Sequence, residues 1–463
     1  MKHFLLLLLL SFSARADIIL PAILNSNMVL QQQTDVRLWG WASPGEKLTI
    51  TPGWDAPPVT TTASENAAWN VTVRTPAAGG PYRLTFKGQN EIVLSNILIG
   101  EVWLCAGQSN MEWSAALGTI DANEELPKAY NPNIRFFDMP KLAANSPQDD
   151  TKGMWTVCDS VTLKPFSAVG YFFGKKLQQS LNVPIGLIDV AWGGSYIESW
   201  IPTEIINLYA DTRLSAERMG PVRAWPVKAG LIYNAMVAPL TNFRLAGALW
   251  YQGESNRHYP QSYYHLMHLM ADAWRGVWQQ DFPLYYVQIA PFTYNGQQQA
   301  AAVREAQTRA MDIPKSGMIV VTDLVDNLRD IHPKYKREVG NRLAAWALAE
   351  TYGQKTGSYR SPQYRSMQVV GDRIRLTFDH APNGLVTRNG EPAEFEIAGA
   401  DRTFVKARAQ VKGNTVEVWA DGLKGPVAVR FAFRDAPEPN LFSREGLPVV
   451  PFRTDDWDLG LKP

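Results

Sequence analysis

Short apolar runs alternate with longer segments of helical pattern between residues 97 and 353. The apolar runs occupy residues 102–106, 185–191, 246–251, 284–290 and 317–322. The segments of helical pattern occupy residues 167–181, 263–278, 297–311 and 336–351. A run that is apolar throughout is typical of a strand buried on both faces, and such strands form a parallel sheet covered by helices. The alternation therefore predicts a doubly wound α/β domain.

Strand-like patterns flank this central region on both sides. Residues 17–96 contain segments of partly alternating polarity, such as V-R-L-W-G-W, separated by the turn sequences S-P-G, T-P-G and A-G-G-P. Similar segments, such as R-I-R-L-T-F, return within residues 354–463. We expect an N-terminal β domain over 17–96 and an α/β domain over 97–353. The C-terminal β region over 354–463 either stands alone or packs with the N-terminal domain around the inserted α/β domain.

The first 16 residues have the pattern of a secretory signal peptide. Lys2 precedes a short apolar run that ends in S-A-R-A, so we expect cleavage after Ala16 and a secreted or periplasmic protein. The run is too short to span a bilayer, and we predict no membrane span. An exported protein could pair Cys105 with Cys158, but the sequence leaves this pairing open. Basic and acidic residues number 45 and 44, a balance that argues against a nucleic-acid partner.

Polar residues follow the apolar runs at their carboxyl ends. The carboxyl ends of parallel strands meet at one edge of the sheet, where ligands bind in open α/β folds. Four such segments are G-Q-S-N-M at 107–111, W-G-G-S at 192–195, Q-G-E-S-N at 252–256 and D-L-V-D-N-L-R-D-I-H-P at 323–333. A serine, a glycine pair, an amide cluster and an Asp/His pair are therefore expected at the same edge.

These residue types are the ones that acyl transfer requires. A serine hydroxyl becomes nucleophilic when a histidine takes its proton, and a carboxylate orients that histidine. Taken alone, Ser109 at the start of a helix is more often a cap than a nucleophile. Of the six histidines, His332 follows the last apolar run and has Asp330 two residues before it. His258, two residues beyond Asn256, is the second candidate for the base.

The motifs together resemble the sialate O-acetylesterase family of SGNH-type hydrolases. The resemblance rests on G-E-V-W-L-C-A-G-Q-S-N-M-E-W, A-W-G-G-S-Y-I-E-S-W, L-W-Y-Q-G-E-S-N and R-D-I-H-P-K-Y-K-R-E-V-G-N-R-L-A. It covers nearly the whole chain after residue 16. It implies a flavodoxin-like SGNH α/β domain accompanied by β-sandwich or jelly-roll-like regions from both ends of the chain. It also implies hydrolysis of acetyl esters on sugars, with no metal and no other cofactor.

The resemblance implies roles for individual residues. Ser109 would be the nucleophile, His332 the general base and Asp330 the orienting acid. The broader SGNH pattern places the aspartate three residues before the histidine, where this chain has Arg329. Asp326 and Asp323 therefore remain alternatives for the acid, as does a catalytic dyad.

Further residues are expected to stabilise the oxyanion and to bind the sugar. The Ser109 amide and Gly194 would donate main-chain hydrogen bonds to the oxyanion. A side-chain amide would add a third donor. The broader pattern has an asparagine in a G-x-N-D block where this chain has Q-G-E-S-N, so Gln252 and Asn256 both remain candidates, with Gln252 favoured. The expected contacts to substrate are Trp113, Trp192, Tyr251 and Glu254, although Glu254 could instead orient its neighbours.

The predicted partner is an acetylated carbohydrate, either sialic acid or a plant hemicellulose such as xylan or xyloglucan. A sialic acid carboxylate requires a cation, and Arg223, Arg244 and Arg257 are candidates. The alternative from another class is a carbohydrate-binding protein without catalysis, which the high aromatic content also suits. A lipase or thioesterase is disfavoured because the sequence has no extended apolar lid. The oligomeric state is left open.

Overall fold

The computed structural model describes residues 17–220, 226–294 and 298–461. The predicted signal peptide and Arg223 lie outside the described residues. The first seven strands are β1 Val29–Gln31, β2 Asp35–Trp41, β3 Lys47–Pro52, β4 Val59–Thr62, β5 Ala68–Arg74, β6 Gly79–Lys87 and β7 Glu91–Gly107. Strands β2 and β5 form an antiparallel pair. Strand β3 pairs antiparallel with β4 and β6, and β6 in turn pairs antiparallel with β7. The N-terminal segments predicted as strands thus form β-structure.

The central sheet is mainly parallel, as predicted. Its remaining strands are β8 Asn131–Asp138, β9 Trp155–Cys158, β10 Ile185–Asp189, β11 Gly247–Tyr251, β12 Leu284–Val287 and β13 Ser316–Ile319. The strand order is β13-β12-β11-β7-β10-β8-β9, with only β9 antiparallel to its neighbour. Strands β10, β11 and β12 are buried along their whole length. This explains why their sequences are apolar without alternation.

Helices cover this sheet. The α-helices are α1 Ser109–Glu112, α2 Ile120–Glu125, α3 Ser160–Leu163, α4 Ala168–Leu181, α5 Thr203–Ile206, α6 Ala210–Glu217, α7 Tyr263–Trp278, α8 Gln299–Arg309 and α9 Arg337–Glu350. Helix α4 begins where the Ser167 hydroxyl accepts a hydrogen bond from the Gly170 N–H at 3.0 Å. The same hydroxyl donates to the Met111 carbonyl at 2.6 Å. This contact fixes the start of α4 against α1, which follows the central strand β7.

The C-terminal region contains antiparallel sheets. Its strands are β14 Gln363–Val370, β15 Arg373–Asp379, β16 Leu385–Thr387, β17 Phe395–Ala398, β18 Phe404–Lys406, β19 Arg408–Lys412, β20 Thr415–Trp419, β21 Ala428–Phe431, β22 Leu441–Ser443 and β23 Phe452–Arg453. The sheet orders are β14-β15-β20-β19, β18-β17-β21-β23 and β16-β22. Buried apolar side chains of this region form a hydrophobic core of their own. Contacts with α8 include the Ala300 N–H, which donates to the Asp435 carboxylate at 2.9 Å.

The two cysteines and the membrane prediction can be compared with this fold. Cys105 and Cys158 are both buried and are not joined by a disulfide. Burial raises the pKa of the Cys158 thiol to about 12, so this side chain packs as a neutral thiol. None of the helices in the described part of the chain combines the length and the apolar character needed to cross a bilayer. The domain boundaries remain predictions.

Candidate active site

The central strand β7 ends in a tight turn at the carboxyl edge of the sheet. Gly107 has a φ of 140°, and a Cβ atom there would lie 2.2 Å from the Tyr251 carbonyl oxygen. Only glycine fits so close to the neighbouring strand. The Gln108 N–H then donates to the same carbonyl at 2.9 Å, and helix α1 starts at Ser109. Ser109 is therefore the first helical residue rather than the cap, which leaves its hydroxyl available.

Ser109 and His332 contact each other directly. The Ser109 Oγ lies 2.8 Å from the His332 Nε2, although the two residues are 223 positions apart in the chain. The His332 ring stacks on the Trp113 indole with ring centroids 3.8 Å apart and an angle of 9° between the planes. All three residues are half-buried. The serine and histidine predicted to act together are thus held at hydrogen-bonding distance, with the imidazole fixed by a flat aromatic surface.

The three candidate carboxylates have different surroundings. Asp330 Oδ1 lies 3.9 Å from His332 Nδ1 and accepts the His332 main-chain N–H at 3.0 Å. Asp326 accepts the Lys334 main-chain N–H at 3.3 Å. Asp323 is paired with Arg342 through two hydrogen bonds of 2.8 and 2.7 Å. Asp330 is therefore the carboxylate that contacts His332, but its bond is to the main chain and not to the ring.

A buried polar network lies directly behind Ser109. The Asn110 side chain donates to Glu254 Oε1 at 2.6 Å and to the Ile331 carbonyl at 3.1 Å, and it accepts from Lys336 Nζ at 2.7 Å. Asn110, Glu254 and Lys336 are at most 3% exposed. Asn110 follows Ser109 in the chain, and Ile331 precedes His332. The bond between them therefore links the segment that carries the serine to the segment that carries the histidine. Sequence reasoning missed Asn110 and Lys336, whose only signal was their position inside two of the motifs.

Burial and charge change the pKa values in this network. Burial lowers the pKa of His332, and the positive charge of Lys336 lowers it further, against the opposing effects of Asp330 and Glu112. Burial also lowers the pKa of Lys336 to about 8 and raises that of Glu254. The neutral form of His332 is therefore favoured near neutral pH. A neutral imidazole is the form that can accept a proton from a serine hydroxyl.

The W-G-G-S segment lies beside the serine. A Cβ atom on Gly193 would lie 3.2 Å from the Ser109 Cβ, so the main chain passes close to the hydroxyl. The Gly193 N–H donates to Glu112 Oε2 at 2.7 Å, and the Glu112 carboxylate also pairs with Lys141. The neighbouring Gly194 has a φ of 71° and accepts a hydrogen bond through its carbonyl. Glu112, in the segment G-Q-S-N-M-E-W, was not predicted from the sequence.

The two amide side chains expected near the oxyanion are buried and hydrogen-bonded within the protein. Gln252 Nε2 donates to the Ser195 carbonyl at 3.0 Å and to Asn256 Oδ1 at 2.7 Å. Asn256 Nδ2 donates to the Glu198 carboxylate at 2.9 and 3.1 Å. These bonds tie the Q-G-E-S-N segment to W-G-G-S, through Ser195, and to Glu198 just after it. Either amide would have to release one of these bonds to donate to a substrate.

The four residues expected to contact substrate differ in burial. Trp113 is half-buried, and its ring lies on His332. Trp192 is 8% exposed, whereas Tyr251 and Glu254 are 1% and 3% exposed. Trp113 therefore has the most surface available to a ligand. The contacts of Glu254 are those of a residue that orients its neighbours.

The candidate arginines also occupy different places. Arg257 follows the Q-G-E-S-N segment, where its guanidinium donates to the Glu254 carbonyl at 3.2 Å and stacks over the Tyr294 ring at 4.5 Å. Arg244 lines a cavity formed with strand β2 and helix α7. Of Arg244 and Arg257, only Arg257 is linked to the site by hydrogen bonds between described residues. It bonds to Glu254, which bonds to Asn110, the residue next to Ser109.

Comparison with known proteins defines the class to which this fold and site belong. A family model described as carbohydrate esterase, sialic acid-specific acetylesterase, matches residues 99–349, more than half of the chain. The protein is therefore a carbohydrate esterase. It belongs to the family of sialic acid-specific acetylesterases.

Individual relatives agree with this membership. The sialate O-acetylesterase of Mus musculus is 28% identical over 77% of this chain and 78% of its own. The sialate O-acetylesterase of Pongo abelii is 27% identical over 93% of this chain and 91% of its own. The crystal structure of a carbohydrate acetylesterase from Xanthomonas citri superposes with a TM-score of 0.88 at 35% identity, covering 95% of this chain and 100% of that one. The resemblance seen in the motifs is thus confirmed.

Proposed function

We propose that this carbohydrate esterase is a serine esterase that removes O-acetyl groups through an acetyl-enzyme intermediate. The observation that carries the proposal is the 2.8 Å contact between Ser109 Oγ and His332 Nε2. It is supported by the lowered pKa of His332, which favours the proton-accepting form. The position of Ser109 at the carboxyl end of the central strand also agrees with where ligands bind in open α/β sheets.

The reaction proceeds in two half-reactions. The Ser109 oxygen attacks the acetyl carbonyl carbon while His332 Nε2 takes its proton, and the carbonyl oxygen becomes an oxyanion. When the tetrahedral intermediate collapses, the bond to the sugar oxygen breaks, and His332 gives the proton to the leaving hydroxyl. A water molecule then attacks the acetyl-enzyme with its proton passing to His332. Acetate leaves, and the proton returns to Ser109.

The oxyanion needs hydrogen-bond donors that are already in place. The Ser109 N–H is in the first turn of α1, where main-chain N–H groups have no acceptor within the helix. Gly194 in the adjacent glycine turn is the second proposed donor. A side-chain amide from Gln252 or Asn256 completes the set, as predicted from the sequence. Asp330 supports His332 through its main-chain bond and its charge, so the site works mainly as a Ser–His dyad.

The substrate we propose is an O-acetylated sialic acid. Relatives that match this chain over more than three quarters of both lengths are sialate O-acetylesterases. Arg257, half-buried beside the Q-G-E-S-N segment, supplies a cation for the sialic acid carboxylate. Trp113 offers an aromatic surface to the sugar ring. Because sialoglycans are found outside the cytoplasm, we also propose that residues 1–16 direct export of the protein.

Acetate release by two variants tests this proposal. Ser109→Ala should lower kcat by roughly 10^4-fold or more on any acetyl ester, with the free energy of unfolding unchanged. The matched control is Ser146→Ala, at an exposed serine that contacts none of the site residues named above, and it should keep full activity. Retained activity in Ser109→Ala would refute the nucleophile.

A substrate panel separates the acetylated sugars. Acetate release is measured from O-acetylated sialoglycan and from acetylated xylan and xyloglucan, with wild type and Arg257→Gln. We expect the sialoglycan to be the best substrate and Arg257→Gln to raise its KM while leaving 4-nitrophenyl acetate hydrolysis unchanged. Preference for an acetylated hemicellulose, with no effect of Arg257→Gln, would contradict the sialic acid assignment but not the serine esterase mechanism.

A further inference from the structure

Two side chains from different segments hold the glycine turn of W-G-G-S. On one side, the Gly193 N–H donates to Glu112 Oε2 at 2.7 Å. On the other side, the Gly194 carbonyl accepts from the Ser255 hydroxyl at 3.1 Å. The peptide unit that joins the two glycines therefore lies between two peptide units that are each bonded to a side chain. This middle unit carries the Gly194 N–H, the second donor proposed for the oxyanion.

The Gly194 N–H is the free donor of this turn. The N–H groups before it are both used, since Trp192 donates to the Gly107 carbonyl at 2.9 Å and Gly193 donates to Glu112. Among the residues that the structure describes, the Gly194 N–H has no acceptor. Gly194 is half-buried. The contacts of the turn thus engage its other N–H groups and leave the one that an oxyanion would need.

Glu112 and the turn both lie against Ser109. Glu112 follows Ser109 by three residues on α1, a spacing that places two side chains on the same face of a helix. A Cβ atom on Gly193 would lie 3.2 Å from the Ser109 Cβ and 3.0 Å from Glu112 Oε2. The charge of Glu112 also reaches His332, whose pKa it raises. The bond from Gly193 to Glu112 is therefore a contact within the site.

A turn of two glycines needs such contacts more than other turns do. Glycine has more conformational freedom than any other residue, and Gly194 has a φ of 71°, a conformation that favours glycine. A hydrogen-bond donor lowers the barrier for oxyanion formation when it is in place before the reaction starts. Free rotation of the peptide between Gly193 and Gly194 would remove this advantage.

The acceptor oxygen of Glu112, and not its charge, is what the turn uses. A negative charge this close to Ser109 opposes the formation of an oxyanion. The Glu112 carboxylate pairs with Lys141, which offsets part of that charge. A glutamine at this position would offer the same acceptor oxygen without the charge. The two properties of Glu112 can therefore be separated by substitution.

We propose that Glu112 and Ser255 are positioning residues of the esterase reaction, which hold the glycine turn so that the Gly194 N–H is in place for the oxyanion. Neither side chain takes part in the bond changes. Their role depends on the serine esterase mechanism proposed above, in which Gly194 is an oxyanion donor.

Kinetics with 4-nitrophenyl acetate test this role, because a small ester needs no sugar contacts. Glu112→Ala and Ser255→Ala each remove one bond to the turn, and each should lower kcat at least about tenfold with little change in KM. Glu112→Gln keeps an acceptor oxygen and should recover most of the kcat lost in Glu112→Ala. The control Glu65→Ala, at an exposed glutamate of the N-terminal region, should have the wild-type kcat.

The pH dependence of kcat/KM separates position from charge. The charges that act on His332 are those of Lys336, Asp330 and Glu112, and Glu112 raises its pKa. Glu112→Ala and Glu112→Gln should therefore both move the acid limb to lower pH. Ser255→Ala changes no charge and should leave the acid limb in place while it lowers kcat. A role in stability alone would not give this pattern.

Ser109→Ala in the same assay distinguishes two kinds of failure. An active Ser109→Ala would refute the serine mechanism itself. If Ser109→Ala is inactive while Glu112→Ala and Ser255→Ala keep the wild-type kcat, the positioning role is overturned and the mechanism stands. The role is also overturned if Glu112→Gln is as slow as Glu112→Ala, because the charge would then matter and not the acceptor. If Glu112→Ala fails to fold, Glu112→Gln and Ser255→Ala decide.

Discussion

Replacement of the buried Lys336 by methionine tests the electrostatics of the site. Lys336 is fully buried, its Nζ donates to Asn110 Oδ1 at 2.7 Å, and burial lowers its pKa from 10.5 to about 8. Methionine has a similar length and no charge. The variant Lys336→Met therefore removes both the titrating group and the positive charge that lowers the pKa of His332.

Titration of the buried Lys336 makes the free energy of unfolding depend on pH. Below pH 8 the lysine is protonated in both states, and the folded protein carries the full cost of the buried charge. Between pH 8 and 10.5 the unfolded chain keeps a proton that the folded protein has released, so the free energy of unfolding rises with pH. The pKa difference corresponds to a rise of about 3 kcal/mol for wild type. Lys336→Met should lack this contribution.

Urea unfolding of wild type and Lys336→Met at several pH values measures this contribution of Lys336 to the free energy of unfolding. Groups that titrate equally in both proteins cancel in the difference between their free energies of unfolding. That difference should change by about 3 kcal/mol from pH 8 to 10.5. The control Lys334→Met, at an exposed lysine of the same segment, should follow wild type. A difference that stays constant over this range would refute the proposed burial of a titrating lysine.

The same variant should change the pH dependence of catalysis. His332 is affected by Lys336, Asp330 and Glu112, and of these only Lys336 lowers its pKa. Without Lys336 the pKa of His332 rises, so the acid limb of kcat/KM should move to higher pH. An acid limb that stays in place would show that Lys336 does not act on His332, the proposed base.

Two further predictions concern the residues around this centre. Asn110→Ala breaks three buried hydrogen bonds, two of them to ionisable side chains. The free energy of unfolding measured in urea should therefore fall by about 3 kcal/mol. A loss as small as that caused by Asn207→Ala, at an exposed asparagine, would contradict this prediction. Asp330→Asn removes a charge that raises the pKa of His332, so the acid limb of kcat/KM should move to lower pH. Because the Asp330 carboxylate lies 3.9 Å from the His332 ring nitrogen, kcat should fall by about tenfold, far less than the roughly 10^4-fold loss on replacing a triad aspartate. The control Asp326→Asn should leave kcat unchanged.

The sequence predicted the parts of the fold that have strong periodicity. The segment 263–278 coincides with α7, whose apolar side chains repeat along one face and are buried. Strands β8 and β9 were missed. Strand β8 begins with three residues that are not buried, and β9 is a short edge strand of mixed polarity that pairs antiparallel with it. Neither has the alternation or the continuous apolar run that identifies strands in a sequence.

The candidate site was predictable only where it depends on strand ends. Ser109 and His332 could be placed together because each follows an apolar run of the same parallel sheet. Lys336 could not be identified, since a lysine is rarely buried and nothing local shows that this one meets Asn110. The bond from Gly193 to Glu112 is likewise a product of tertiary packing. The topology of the sheet decides where the site residues lie. Side-chain packing decides which neighbours shift the pKa values of their ionisable groups.

Strand β7 links the N-terminal region to Ser109, the proposed nucleophile. It runs without interruption from Glu91 to Gly107, pairing with β6 in its first part and with β10 and β11 in its second. A gene fusion or truncation near residue 97 would cut the strand whose far end carries Ser109. The C-terminal strands, within the described ranges, pair only with one another. Recombination between relatives should therefore exchange the C-terminal module more readily than the N-terminal one, provided that its contacts with α8, such as that of Ala300 with Asp435, are kept. The N-terminal module must be inherited together with Ser109.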